Sequence, residues 1–139
     1  MEENDVITVL SEEESLARMA TEQLGRLVVR RADDFDIFPI NFVVDDGKIY
    51  VRTSEGDKLF TMALNNDVAF EADHVSDSLA WSVVVKGTAR LLDKNAEIQH
   101  ADTLPLRPWL PTLKYRYVEI VPTTISGRQF HLGEEPERY

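Results

Sequence analysis

Two β-branched segments joined by a short turn constrain the fold of this chain more than any other feature. Residues 37–44 read IFPINFVV, residues 45–48 read DDGK, and residues 49–54 read IYVRTS. Asp-Gly at the centre of a tight turn favours the positive φ angles of a two-residue hairpin, and β-branched flanks favour strands. Pro39 lacks a backbone N–H, so we expect an edge or a bulge at that point. The segment therefore predicts an antiparallel hairpin.

The rest of the pattern predicts a mainly β chain with a few short helices. Ser11 and Glu14 have the spacing of a capping box, and Gly25 is a natural helix end. Gly87 predicts a bulge or a kink in a long strand, and Asp93 predicts a helix cap. Strands are predicted at 26–31, 67–74 and 79–92, one or two more at 115–130, and helices at 11–25, 58–66 and 93–104. Evenly spaced strands of this kind favour a small antiparallel barrel.

Length and charge limit the classes of protein that this chain can represent. Its 139 residues fit one domain, 1–139, with 1–5 and 132–139 as loose ends. Twenty-five acidic residues against fifteen basic ones give a net charge of −10, which disfavours nucleic-acid and membrane partners. The chain has no cysteine, which excludes disulfides and zinc-thiolate sites. The acidic start MEENDVITVL is unlike a signal peptide, so a cytoplasmic location is expected.

Three consecutive valines, Val83–Val85, make both faces of one predicted strand apolar. One face can pack inside the barrel, and the other needs a cover. Either a second subunit or a helix of the same chain can provide that cover, and periodicity alone does not decide between them.

The segment VRTSEGDKLF, residues 51–60, has two interpretations. In the first, a helix N-terminus with its unpaired N–H groups binds a phosphate, helped by hydroxyls and by two cations. The residues of this anion site are Arg52, Thr53, Ser54 and Lys58, with Gly56 allowing close approach. In the second, Ser54 or Asp57 simply caps the helix and Glu55 interacts with its dipole.

The other residues that could bind a ligand or take part in catalysis give weaker indications of a functional site. Asn41, in FPINF, places an amide among apolar neighbours, where it must find backbone partners or the polar edge of a planar ring. The three histidines have no metal-ligand spacing, so no metal site is expected. No catalytic residues can be identified, and Trp81 and Trp109 are more typical of a core or an interface.

Taken in order, five blocks of the chain resemble the pyridoxamine 5′-phosphate oxidase-like flavoproteins, specifically the short actinobacterial-type members of the FMN-binding split-barrel family. The resemblance runs from about Leu10 to Phe130. The blocks are GRLVV, IFPINFVVDDGKIYVRTSEGDKL, NNDVAFEADH, AWSVVVKGTARLL and PTTISGRQF.

The resemblance implies a six-stranded antiparallel Greek-key split barrel with flanking helices, assembled as a homodimer with FMN at the interface. It implies that Pro39, Ile40 and Asn41 lie along the flavin ring. Arg52, Thr53, Ser54 and Lys58 would hold the phosphate, and Trp81, Ser82 and Val83 of the other subunit would reach the ring.

The implied activity is an FMN-dependent oxidoreductase acting on a small organic molecule. Pyridoxamine phosphate oxidases carry a basic C-terminal motif for the substrate phosphate, whereas this chain ends in GEEPERY. A substrate other than a vitamin-B6 phosphate is therefore expected. The alternatives are a deazaflavin-dependent reductase and a non-enzymatic dimer that binds flavin or haem.

Overall fold

The computed structural model describes residues 6–53, 65–106 and 116–134. Strands dominate this part of the chain, as the sequence predicts. The elements are β1 (Ile7–Leu10), α1 (Glu12–Met19), β2 (Leu24–Arg31), β3 (Asp34–Asp45), β4 (Lys48–Thr53), β5 (Asp67–Val75), β6 (Leu79–Leu91), α2 (Asn95–Asp102) and β7 (Arg116–His131).

Six strands close into an antiparallel barrel, which confirms the expected split-barrel fold. The neighbour order is β7-β4-β3-β2-β5-β6, and β6 pairs back onto β7. A seventh strand, β1, adds to the free edge of β7. The 16-residue β7 pairs with β4 through its first half and with β1 through its second half, while β6 runs along its other edge.

The predicted hairpin is confirmed as β3 and β4. Its turn residues Asp46 and Gly47 have φ angles of 50° and 74°, the left-handed values that a two-residue hairpin turn needs. The pairing of β3 with β4 begins at Phe42, opposite Val51. Pro39 therefore pairs only with β2 among the described residues, which is the edge position predicted for it.

The capping box of α1 is present, but the helix is shorter than predicted. The backbone N–H of Glu14 donates to Ser11 Oγ, and the N–H of Ser11 donates back to Glu14 Oε1, both at 3.0 Å. The prediction that the helix continues to Gly25 is wrong, because it ends at Met19 and Gly25 lies inside β2. Pairing of Gly25 with Ile40 outweighs its use as a helix end.

Two smaller predictions had different outcomes. The β6–β7 register shifts between Lys86 and Gly87, which confirms an irregularity at Gly87, although the extra residue, Thr123, lies in β7 and not in β6. The predicted Asp93 cap is wrong: Lys94 occupies the N-cap of α2 and makes no side-chain capping bond. The helix predicted at 58–66 lies largely outside the described residues.

Two apolar clusters stabilise the described part. The larger one fills the barrel around Leu27, Phe42, Phe70 and Val85. The smaller one lies outside the barrel, where α2 covers the outer side of β4 and β7. Its buried members are Tyr50, Leu92, Ala101 and Tyr117. Neither described helix is long and apolar enough to cross a bilayer.

Candidate functional site

The outer face of the barrel sheet, meaning the side that points away from the core, carries Asn41 and Arg52. Phe42 and Val51 face each other and are buried in the core. The next residue along each strand points the opposite way, because side chains alternate. Asn41 and Arg52 are therefore neighbours on the outer face, where both are half-buried. An amide and a guanidinium lie side by side at the point where β3 and β4 stop pairing.

Thr53 of the predicted phosphate site and Ile40 of the predicted ring-binding segment are placed differently. Thr53 is only 5% exposed and Ile40 only 8%, so both side chains lie on the core side of the sheet. Ser54 and Lys58 lie outside the described residues. The structure thus brings Arg52 to the outer face and leaves Thr53 to act there only through its backbone.

Pro39 is exposed on the same outer face and pairs with Arg26 of β2. The Arg26 guanidinium donates to Glu71 through Nε at 2.8 Å and Nη2 at 2.6 Å, and to Asp73 through Nη2 at 2.9 Å. Hydrogen bonding to Glu71 raises the pKa of Arg26, so this arginine stays charged. The cation beside Pro39, Arg26, is therefore already paired with two carboxylates.

Only one of the three residues predicted to reach the flavin from β6 points outward. Trp81 is 5% exposed and Val83 is fully buried, and both belong to the barrel core. Ser82 lies between them on the outer face, opposite Asp73 of β5 and Arg128 of β7.

Ser82 is far from Pro39 within one chain. β3 and β6 are separated by β2 and β5, and three strand spacings are roughly 14 Å. A single chain therefore does not bring Ser82 together with Asn41 and Arg52.

A polar row that the sequence does not reveal lies next to Arg52, with two buried members, Tyr50 and Glu119, and one exposed member, Arg90. Tyr50, Glu119 and Arg90 occupy one row across β4, β7 and β6. Tyr50 Oη donates to Glu119 Oε2 at 2.9 Å, and Arg90 Nη2 donates to Glu119 Oε1 at 3.1 Å. Burial and the Glu119 carboxylate raise the pKa of the Tyr50 phenol, which keeps it a donor.

This row is tied to α2, which covers it. Arg90 Nη2 also lies 2.8 Å from Glu97, and it lowers the pKa of that carboxyl group. Tyr117, opposite Arg52 in the β4–β7 register, donates to Asp102 at 2.6 Å. Helix α2 is thereby attached to the outer side of the sheet beside Arg52.

Two of the three histidines form ion pairs or hydrogen bonds at the surface. His74 Nδ1 lies 3.3 Å from Glu22, and His100 Nε2 lies 2.8 Å from Asp45. Within residues 6–53, 65–106 and 116–134 no three His, Asp or Glu side chains are grouped to hold a metal. Trp81 is a core residue, which agrees with the prediction that it belongs to a core or an interface. Trp109 lies outside the described residues.

A closed six-stranded antiparallel barrel, with an outward amide and guanidinium where β3 and β4 stop pairing, defines the class of fold: a split barrel. The chain belongs to the pyridoxamine 5′-phosphate oxidase family, whose model matches residues 11–129. The resemblance seen in the sequence is thereby confirmed.

Individual relatives agree with this assignment. A structure from Corynebacterium glutamicum, provisionally named a pyridoxamine 5′-phosphate oxidase, is 58% identical, covers 97% of this chain and 99% of its own, and has a TM-score of 0.90. A Mycobacterium smegmatis structure described as an FAD-binding protein is 40% identical, with 90% and 99% coverage and a TM-score of 0.78. The uncharacterized protein Rv3129 of Mycobacterium tuberculosis is 41% identical over 96 residues, 69% of this chain and 87% of that protein.

Proposed function

We propose that this protein binds a flavin nucleotide, FMN in the first instance, and acts as an oxidoreductase on a small organic molecule. The observation that carries the proposal is the placement of Asn41 beside Arg52 on the outer face. The guanidinium suits a phosphate, and the amide suits the polar edge of a planar ring. Family membership and a 40%-identical relative described as FAD-binding support the same class of ligand.

The residues present fit such a ligand in their chemistry. Arg52, together with Ser54 and Lys58, would hold the phosphate, while Asn41 would orient the ring and Pro39 would contact its apolar surface. Among the described residues, β3 pairs with β4 only from Phe42 onward, so the Pro39–Asn41 segment lies beyond the end of that ladder. A bound flavin supplies hydride-transfer chemistry, and the chain supplies binding, orientation and exclusion of water.

Ligand titration tests the proposal directly. The purified protein should show flavin absorbance or quench the fluorescence of added FMN, and riboflavin, which lacks the phosphate, should bind more weakly. FAD and a deazaflavin cofactor are titrated in parallel, because tighter binding of either would replace FMN as the cofactor. A protein that quenches none of these ligands would contradict the proposal.

The variant Lys58→Ala should weaken FMN binding by on the order of tenfold or more, because a charge-assisted contact to phosphate contributes roughly 1.5–3 kcal/mol. Fluorescence titration measures the Kd. Lys94→Ala removes the same charge from an exposed lysine at the N-terminus of α2 and should leave the Kd unchanged. Equal effects of the two variants would show that Lys58 acts only through net charge.

A homodimer is the second part of the proposal, and the outer face supports it. Val84 is 37% exposed there, whereas Val83 and Val85 are fully buried. An apolar row crosses four strands of this face, with Val75 70% exposed and Ile7 47% exposed. The row is Val75, Ala80, Phe130 and Ile7.

A second copy of the chain is the occupant that we propose for this face. Ser82 lies on the outer face between Val84 and Ala80, yet it is three strands away from Pro39 in its own chain. If a second copy packs against this face, its Ser82 would lie closer to Asn41 and Arg52 than the Ser82 of the same chain does. The same contact would cover the apolar row.

The variant Val84→Asp should convert the dimer to a monomer, because a buried, unpaired carboxylate costs far more than an exposed one. Sedimentation velocity measures the mass. Gln99→Asp adds the same charge on exposed α2 and should not change the mass. A wild-type protein that sediments as a monomer at high concentration would contradict the homodimer.

A further inference from the structure

A groove of about 330 Å³ lies on the outer face of the sheet, where β2, β5 and β6 run side by side. Val28, Ala69 and Lys86 form one row across these strands, and each points away from the core because both of its neighbours in the strand are buried. Ala69 has only a methyl group, which leaves the space between its two longer neighbours open. The volume lies at the lower end of the roughly 300–1,000 Å³ typical of small-molecule sites.

The wall of the groove towards β3 is apolar. Phe35 lines the groove and is exposed, and Ile37, which pairs with Val28 at the end of the row, is also exposed. Large exposed apolar side chains beside a concave surface are typical of a binding site. The hydrocarbon part of a small ligand would cover this wall and be removed from water.

Two cations line the groove, and neither forms an ion pair with a described carboxylate. Arg30, across from Phe35 in the β2–β3 register, donates one long hydrogen bond of 3.4 Å from Nε to the Ala32 carbonyl oxygen. Lys86 is exposed on the opposite side. Asp67 also lines the groove, so two cations against one acid leave one positive charge. Because the whole chain carries a net charge of −10, this groove is a local exception that attracts an anion.

We propose that this groove is a second ligand site and that it binds a small apolar monocarboxylate. Arg30 and Lys86 bind the carboxylate, while the hydrocarbon covers Phe35 and Val28. Two strand spacings and one step of two residues separate the Cα atoms of Arg30 and Lys86, which is roughly 12 Å. Two long side chains can span this distance when they converge on one carboxylate group.

The groove is separate from the surface proposed to bind flavin. Phe35 and Asn41 are six residues apart along β3, which is roughly 20 Å in an extended strand. A small ligand in the groove therefore does not contact Asn41 or Arg52. The proposal goes beyond the flavin function and does not depend on it.

Titration of the isotope-labelled full-length protein with hexanoate, followed by NMR, tests the proposal. Hexanoate should bind with a Kd of about 1 mM or lower and should shift the amide resonances of residues 28–30, 67–69 and 86–87. Acetate has the charge without the chain, and hexanol has the chain without the charge. Each should therefore bind at least about tenfold more weakly than hexanoate.

Four variants of the groove give the specific pattern. Arg30→Gln and Lys86→Gln should each weaken hexanoate binding about fivefold, because each removes a charge-assisted contact. Asp67→Asn removes the acid and should strengthen binding about twofold. Ala69→Leu fills the floor of the groove and should abolish binding. Lys94→Gln, at an exposed lysine outside the groove, is the matched control and should leave hexanoate binding unchanged, and FMN affinity should stay the same in all of these variants.

A second copy of the chain is the competing occupant, since Val84 lies on the same face two residues from Lys86. Sedimentation velocity of Phe35→Ser should give the same mass as the wild-type protein. A lower mass would show that a second copy fills the groove and would overturn the proposal.

Equal weakening of hexanoate binding by Arg30→Gln, Lys86→Gln and Lys94→Gln would reflect net charge alone and would also overturn the proposal. Weaker binding in Asp67→Asn would indicate a cationic or zwitterionic ligand and contradict the proposed class. Absence of saturable hexanoate binding overturns the proposal as well, whereas a failure of FMN to bind overturns only the flavin function.

Discussion

Replacement of Gly87 by alanine should destabilise the barrel by roughly 3 kcal/mol, at the upper end of the cost of overpacking. Gly87 lies at the β-bulge where the β6–β7 register shifts, opposite Pro122. A Cβ atom there would lie 2.9 Å from the carbonyl carbon of Val121 and 3.0 Å from Pro122 Cα. Both contacts are with backbone, which cannot rotate away as a side chain can. Urea denaturation followed by circular dichroism measures the loss.

The matched control is Gly133→Ala. A Cβ atom at Gly133 would have no neighbour within 4 Å, and the residue is exposed. Both variants restrict the unfolded chain equally, so the difference between them isolates the close approach of β6 and β7. If the two variants unfold at the same urea concentration, β6 and β7 do not approach each other as closely as described.

The bulge also explains why the barrel closes on a single long strand. β7 pairs with β6 from Val118 to His131 while its other edge changes from β4 to β1. An extra residue in the ladder increases the local bend and twist. Gly87 permits that bend next to Val121, where any side chain would meet backbone. The sequence predicts a bulge or a kink from this one glycine in a long β-rich run.

The sequence correctly predicts the turns and helix ends that depend on residues close to each other in the chain. The Asp46–Gly47 turn fixes the β3–β4 register, and Ser11 with Glu14 fixes the start of α1. Gly25 shows the limit of this reasoning, since its role depends on Phe70, forty-five positions away. β1 was not predicted because its four residues are too few to show a period.

The sequence names the residues of the candidate site but does not give the direction of their side chains. Asn41 and Arg52 point outward, whereas Thr53, Trp81 and Val83 point into the core. Side-chain direction depends on register, and one residue of shift reverses every side chain. The contact of Glu119 with Tyr50 joins residues 69 positions apart, and no local pattern indicates it.

Phe70→Ala should be the most destabilising single substitution, with a loss of about 3–5 kcal/mol. Phe70 is fully buried, and its ring packs edge to face against Phe42 at 4.9 Å between centroids. The ring also covers Gly25, where an added Cβ would meet Phe70 Cζ at 2.5 Å. Truncation leaves a cavity at the centre of the barrel, and urea denaturation measures the cost.

A double-mutant cycle tests whether the missing Cβ of Gly25 and the Phe70 ring are complementary. Gly25→Ala alone should destabilise the barrel, because its Cβ would also lie 2.8 Å from the Glu71 carbonyl oxygen. In the Phe70→Leu background the ring is absent, so Gly25→Ala should cost less by about 1 kcal/mol, a typical coupling for residues in contact. Strictly additive losses would mean that the backbone of Glu71, and not the ring, limits the space at Gly25. β2 and β5 would then be held together mainly by their backbone pairing, and the packing of Phe70 against Gly25 would not contribute.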